Sequence, residues 1–266
     1  MKELRRFSEE LVEKVLRGIS CRRYNETVLE AAQAFGVSAS AVSAHIIEAT
    51  AKKLQGVKGR SLSSFDPCAV FLDTVHRGGE AFIVGLGIEV KGRKMACGFW
   101  QGATENDEIC EELIADMERR GLKISRRMIW GTGGGSGIIK ALKERFGKKL
   151  IHQRCTLHKD RNIQKHLAKK YRKGAHRRFR TAMERNSDED ARQMLLEMEK
   201  WLRGINESAA DSLREAFEEI LTLHRLKIPG LLRKTLHYRR GGMTQRWLAA
   251  VLLYAERICP PFFIPV

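Results

Sequence analysis

The sequence predicts an α/β protein: a mixed sheet covered by helices, with a helical region before it and an all-helical part after it. Three observations point there. Between residues 68 and 151, short apolar runs of strand length alternate with amphipathic helical periods in the order βββαβαβ. From Lys159 onward only the helical period recurs, and before residue 56 the same period is interrupted by a single glycine turn.

Each element has its own signal. Residues 8 to 35 place Leu11, Val12, Val15, Leu16 and Ile19, then Val28, Leu29, Ala31, Ala32 and Phe35, at helical spacing. Gly36-Val37 makes a short turn, Ser38 is placed to cap a new helix, and Val42, Ile46 and Ile47 give that helix an apolar stripe to about Leu54. This is the outline of a helix-turn-helix, although any helical hairpin shares it. The second helix has few side chains long enough to read base edges. Ser38, Ser40, Ser43, His45, Lys52 and Lys53 therefore suit phosphate positioning better than base reading. Gly56 to Pro67 reads as a linker. Ala69 to Leu72 is a buried strand ending at Asp73, Ala81 to Val90 a second and Met95 to Trp100 a third, with Lys91-Gly92-Arg93 as the hairpin between the last two. Glu105 to Arg120 is an amphipathic helix with an acidic first turn. Met128 to Trp130, Ser136 to Phe146 and Leu150-Ile151 follow as strand, helix and strand. Beyond them Ala191, Met194, Leu195, Met198, Trp201 and Leu202 form one helical stripe, and Ala210, Leu213, Phe217, Ile220 and Leu221 another. The expected domains are 1–55, 56–67 (linker), 68–158 (sheet), 159–236 (helical) and 237–266.

Charge narrows the partners. The chain has 49 Lys+Arg against 32 Asp+Glu, a formal +17, which favours a polyanion. Lys140 to Arg180 alone holds sixteen lysines and arginines against two acids, Glu144 and Asp160. A solvated helix face would interleave acids as i,i+4 partners, so this stretch predicts phosphate binding, with Lys159, Arg161, Lys165, Lys169, Lys170, Arg172 and Lys173 as contacts. The apolar run Trp247 to Ala255 is about half the ~20 residues a membrane span needs, and no membrane partner is expected. Met1-Lys-Glu-Leu-Arg-Arg leads into a charged amphipathic segment rather than a signal core. The six cysteines lack a disulfide rhythm, and a reducing cytoplasm follows as the expected compartment.

Several residues could carry chemistry. Asp73 at a strand end can face a ligand, or can cap a turn. The turn Gly131-Thr-Gly-Gly-Gly-Ser-Gly137 has the glycine content of a phosphate cradle, but Ser136 breaks GxGxxG and no GxxxxGK[ST] fits. His152, Cys155, His158 and His166 offer zinc-like donors without a CxxC; a buried, hydrogen-bonded structural pair is the competing reading.

Taken together, Asp73 after an apolar strand, Gly98-Phe-Trp-Gln-Gly-Ala-Thr-Glu-Asn106, Gly134-Gly-Ser-Gly-Ile-Ile-Lys-Ala-Leu142 and Ile151-His-Gln-Arg-Cys-Thr-Leu-His-Lys-Asp-Arg-Asn162 resemble the mutator-type transposases of bacterial insertion sequences. The resemblance runs from about Val12 to Ala255. It implies an RNase H-like core with a helical insertion, and an Asp-Asp-Glu triad holding two Mg²⁺ ions for phosphoryl transfer on DNA. Asp73 matches the first carboxylate. The family turn reads Thr-Asp-Gly-Gly, and here Thr132 is followed by Gly133, so the second has no side chain. The family's Asn- and Glu-containing segment after the Leu231 to His237 region is also missing, because His237 runs directly into Tyr238-Arg-Arg-Gly-Gly. That reads as an internal deletion, which leaves 237–266 as a residual core helix and an irregular tail. The short N-terminus reads as a truncation. Cys155 and His158 match the family CxxH signature, with structural support beside the active site as the implied role. The expectation is a nucleoid-associated transposase copy that keeps binding to double-stranded DNA at transposon ends, as a homo-oligomer or a heteromer with an intact transposase, while Asp73 alone forms an incomplete metal site. A non-catalytic DNA-binding regulator of an intact transposase is the alternative.

Overall fold

The computed structural model describes residues 56–77, 80–90, 93–102, 107–124, 127–230 and 233, with a few positions between 29 and 41. Within that N-terminal group the Val37 N–H donates to Ala32 O at 3.1 Å, and the Ser38 hydroxyl accepts from the Ala41 N–H at 3.2 Å, the helix stop and N-cap expected there. Ser38 and Ser40 also share a hydroxyl hydrogen bond of 2.9 Å. The remainder of the expected helix-turn-helix, including Ser43, His45, Lys52 and Lys53, lies outside the described residues, as does nearly all of 237–266.

The sheet is built from β1 (Pro67–Arg77), β2 (Glu80–Glu89), β3 (Lys94–Gly102), β4 (Ile129–Thr132) and β5 (Ile151–Arg154), with α1 (Asp107–Arg119) and α2 (Ser136–Phe146) between them. The strand order is β3-β2-β1-β4-β5. β1 to β3 form an antiparallel meander, whereas β4 and β5 run parallel to β1. β1 does not end at Asp73. It continues to Arg77 because β2 offers partners that far, from Asp73↔Val84 to Arg77↔Glu80. β5 likewise outlasts its apolar start: His152, Gln153 and Arg154 stay in the strand because each finds a tertiary partner.

Alternation along β1 sorts the two faces. Val70 and Leu72 point into a core with Ile83, Cys97 and Trp130, roofed by Leu113, Ile114 and Met117 of α1 and Ile138, Ala141 and Leu142 of α2. Ala69 and Phe71 point the other way, against Leu86, Ile88, Ile129 and Leu223.

The helical part opens earlier than expected, at Thr156. It comprises α3 (Thr156–Lys165), α4 (Lys169–Met183), α5 (Asp188–Arg203), α6 (Glu207–Arg214), α7 (Phe217–Ile220) and α8 (Thr222–Arg225). Ser187 and Asn206 cap α5 and α6, each accepting from a backbone N–H three residues on, at 3.0 and 2.9 Å. Ala175 and Phe179 of α4, Leu195, Met198 and Leu202 of α5, and Leu213, Phe217 and Ile220 form a second core. The expected stripe from Ala210 to Leu221 is split at Glu215–Ala216, which lets α7 and α8 lie along β5. There the Gln153 side chain donates to Arg154 O (2.7 Å) and Ile220 O (3.2 Å) and accepts from Leu223 N–H (3.0 Å), and the Thr222 hydroxyl donates to His152 O at 2.6 Å. A side chain thus covers polar groups that an edge strand would otherwise expose.

Candidate functional site

The register of the three parallel strands places the candidate residues. Leu72 of β1 is level with Thr132 of β4, and Thr132 with Arg154 of β5. The residues that follow are therefore Asp73, Gly133 and Cys155, side by side at the carboxyl ends of β4 and β5, and the carboxyl ends of strands are where open α/β sheets place their ligands. The Cys155 N–H donates to Thr132 O at 2.8 Å, and Cys155 then becomes the N-cap position of α3, whose first turn carries His158. Residues far apart in sequence meet because β4 and β5 end at the level of Asp73, inside the longer β1.

At Gly133 a side chain would point straight into this cluster. Its Cβ would lie 2.6 Å from Asp73 Oδ1 and 3.1 Å from His158 Nδ1. Asp73 Oδ1 accepts from the Thr74 N–H at 3.0 Å, and His158 Nδ1 is buried with no hydrogen-bond partner among the described residues. Burial, with the Asp73 charge adding to it, pushes the Cys155 thiol up to about 11, so it stays protonated at neutral pH. Next along the turn, Gly134 has φ of 116°, in the region that favours glycine, and its Cβ would lie 2.6 Å from Arg154 Nη2. Gly134 is thus packed against a guanidinium, in a backbone conformation that strains any other residue.

The Arg154 guanidinium, 5 % exposed, donates from Nη1 to Glu215 Oε1 at 2.9 Å. Lys159, 3 % exposed, donates to Ser212 O at 2.7 Å and to the other Glu215 oxygen. Burial holds the Lys159 ammonium below its ordinary value, against the pull of Glu215. Lys159 therefore anchors α3 to α6 and is turned away from solvent, unlike the exposed Arg161, Lys165, Lys169, Lys170, Arg172 and Lys173. Arg154 escaped the sequence reading as a site residue. Its signal was an arginine directly after a short strand start, but Glu215 is 61 residues away.

Tertiary structure also supplies acids that the basic stretch lacks locally. Lys140 pairs with Asp107, Arg145 with Glu111 and Glu118, and Lys143 with Glu219 at 3.7 Å. The α2 cations are thereby neutralised, and uncompensated charge concentrates on α4. His152 joins no cluster of donors: its Nε2 shares a 2.9 Å hydrogen bond with Thr132 Oγ1, and burial, aided by the Arg154 and Lys143 charges, depresses it to about 4. His166 is exposed at the C-cap of α3.

Two divalent cations sharing a phosphodiester need several anionic oxygens converging on them. The donors around Asp73 do not fit that need: glycine stands at 133, the Cys155 thiol is protonated, and among the described residues no group of three or more His, Cys, Asp or Glu side chains could hold a metal. Among the same residues no helix is long and apolar enough to cross a membrane.

The fold and site define an α/β protein with a carboxylate of its longest strand beside the carboxyl ends of two parallel neighbours, followed by a helical part with a strongly basic first half. The chain belongs to the Mutator family of transposases, whose sequence model matches residues 2–236. A comparison with curated proteins finds no significant match.

Proposed function

We propose that this chain is a DNA-binding Mutator transposase with an RNase H-like core and an incomplete strand-transfer centre. The observation that carries the reading is the juxtaposition of Asp73 with Gly133, the position where the family resemblance expects a second carboxylate. A lone carboxylate leaves Mg²⁺ largely hydrated and unpositioned, so no cleavage step is assigned to this site. The third carboxylate is missing on the same reading, since His237 runs into Tyr238 where an acid-containing segment is expected. Cys155 and His158 support the strand ends around Asp73.

Duplex binding needs neither missing group. Ser38, Ser40, Ser43, His45, Lys52 and Lys53 of the N-terminal helices, with Arg161, Lys165, Lys169, Lys170, Arg172 and Lys173, are the contacts we assign, and Lys159 serves the fold instead. A protein of this kind occupies transposon ends alone, as a homo-oligomer, or mixed with an intact transposase whose activity it blocks. Purified protein incubated with duplex transposon ends and Mg²⁺ or Mn²⁺ should shift the duplex yet yield no nicked or joined product. Cleavage that disappears in Asp73→Ala would overturn the reading.

A further inference from the structure

α4 sorts its cations by position. Taking Ala175, Phe179 and Ala182 as the buried stripe, the outward crest of a 3.6-residue helix carries the row Lys169, Lys173 and Arg177, each four residues from the next, with Lys170 and Arg180 beside it. All three are exposed, and among the described residues none has an acid or aromatic partner. The helix's other cations are engaged. Arg172 donates to Leu167 O at 2.9 Å, Arg178 lies 4.9 Å over the Trp201 ring, Arg180 pairs with Glu184 at 3.0 Å and Lys170 sits 4.9 Å from the Tyr171 ring centroid. The helix has no acidic residue in its fifteen positions.

From this arrangement we infer that the α4 crest is a phosphate-tracking edge: Lys169, Lys173 and Arg177 engage successive phosphates of one strand of duplex DNA without reading its bases. The inference rests on the DNA-binding function proposed above and assigns part of it to three residues. A rise of 1.5 Å per residue spreads the three charges over about 12 Å, a length in which one strand of B-form DNA presents three to four phosphates. An anionic membrane surface is the poorer fit, because a helix lying on a bilayer inserts its apolar face, and that face of α4 is buried in the helical core. Arg177 is a contact that the sequence did not single out.

The test is the salt dependence of binding to a random-sequence duplex by the full chain. Each lost phosphate contact removes about 0.9 from the slope of log K against log salt, so Lys169→Gln/Lys173→Gln/Arg177→Gln should flatten the slope by about 2.7. Between about 50 and 200 mM salt, the wild type should then lose about 40-fold more affinity than the variant. The control Arg178→Gln/Arg180→Gln/Arg185→Gln removes the same charge from positions outside the assigned contacts, Arg185 donating to Thr181 O at 3.4 Å, and should change the slope by much less. Gln keeps helix propensity, and an unchanged far-ultraviolet spectrum checks the fold. Equal slopes for the wild type and the crest variant, or equal effects of the crest and control variants, overturn the crest assignment and leave duplex binding standing. A crest variant that loses anionic vesicles and keeps the duplex likewise overturns the crest assignment alone, whereas a wild type that binds no duplex overturns both.

Discussion

His152 shows how one buried residue makes the whole molecule sensitive to pH. Its imidazole is buried beside Arg154 and Lys143, so its proton affinity in the fold corresponds to a pKa of about 4, against 6.5 for the free group. In the unfolded chain His152 takes up its proton first as pH falls, so the unfolded state holds more protons between pH 6.5 and 4. The contribution is complete above the upper value and is lost as pH drops toward the lower one, to the extent of about 3 kcal/mol. His152→Gln can keep the hydrogen bond to Thr132 and removes the titration. Its unfolding free energy should fall less steeply than that of the wild type between those pH values, and parallel profiles would reject the assignment. Gly133 teaches the complementary lesson: its identity is visible in the sequence, but its meaning depends on Asp73, sixty residues away in the chain and adjacent in space.

At the scale of elements, the decisive contact is the one between β5 and the α7–α8 pair. Gln153 ties β5 to the helices, satisfying the Arg154 carbonyl of the strand, the Ile220 carbonyl of α7 and the Leu223 N–H of α8. Gln153→Leu keeps much of the volume and leaves those groups without this partner, at about 1–3 kcal/mol for each one that stays buried. We expect a loss of about 3 kcal/mol, read as a lower urea midpoint with an unchanged m value; a midpoint equal to the wild type would show that water replaces the side chain without cost. Sequence periodicity located most elements because apolar spacing is a local property. The helix at Ser136–Phe146 carries the bounds read from sequence. The expected ends of β1 and β5 were too early, since Asp73, His152, Gln153 and Arg154 break the apolar runs and their partners lie far along the chain. The split at Glu215–Ala216 was illegible for the same reason: the stripe continues, and only the fit along β5 interrupts it.

Across the whole molecule, the sheet core and the helical core are joined by Leu223 packed on Ala69, Phe71 and Ile129 and by polar contacts: Gln153 and Thr222 on one side of β5, and Arg154 and Lys159 sharing Glu215 at its end. This coupling predicts a single unfolding transition. Trp130, stacked on Phe146 at 5.1 Å in the sheet core, and Trp201, beside Gly174 in the helical part, are natural reporters. Variants retaining only one or the other should unfold at the same denaturant concentration, and separate midpoints would show that the cores melt independently. The sequence by itself determined the α/β class, the order of the elements, the excess of positive charge and the family motifs, because composition and spacing are carried by neighbours along the chain. Only the tertiary structure decided which charges are free. Burial turns Lys159 inward, acids from α1 and Glu219 neutralise α2, and the crest of α4 keeps its charge, because neutralisation depends on distance in space rather than distance along the chain.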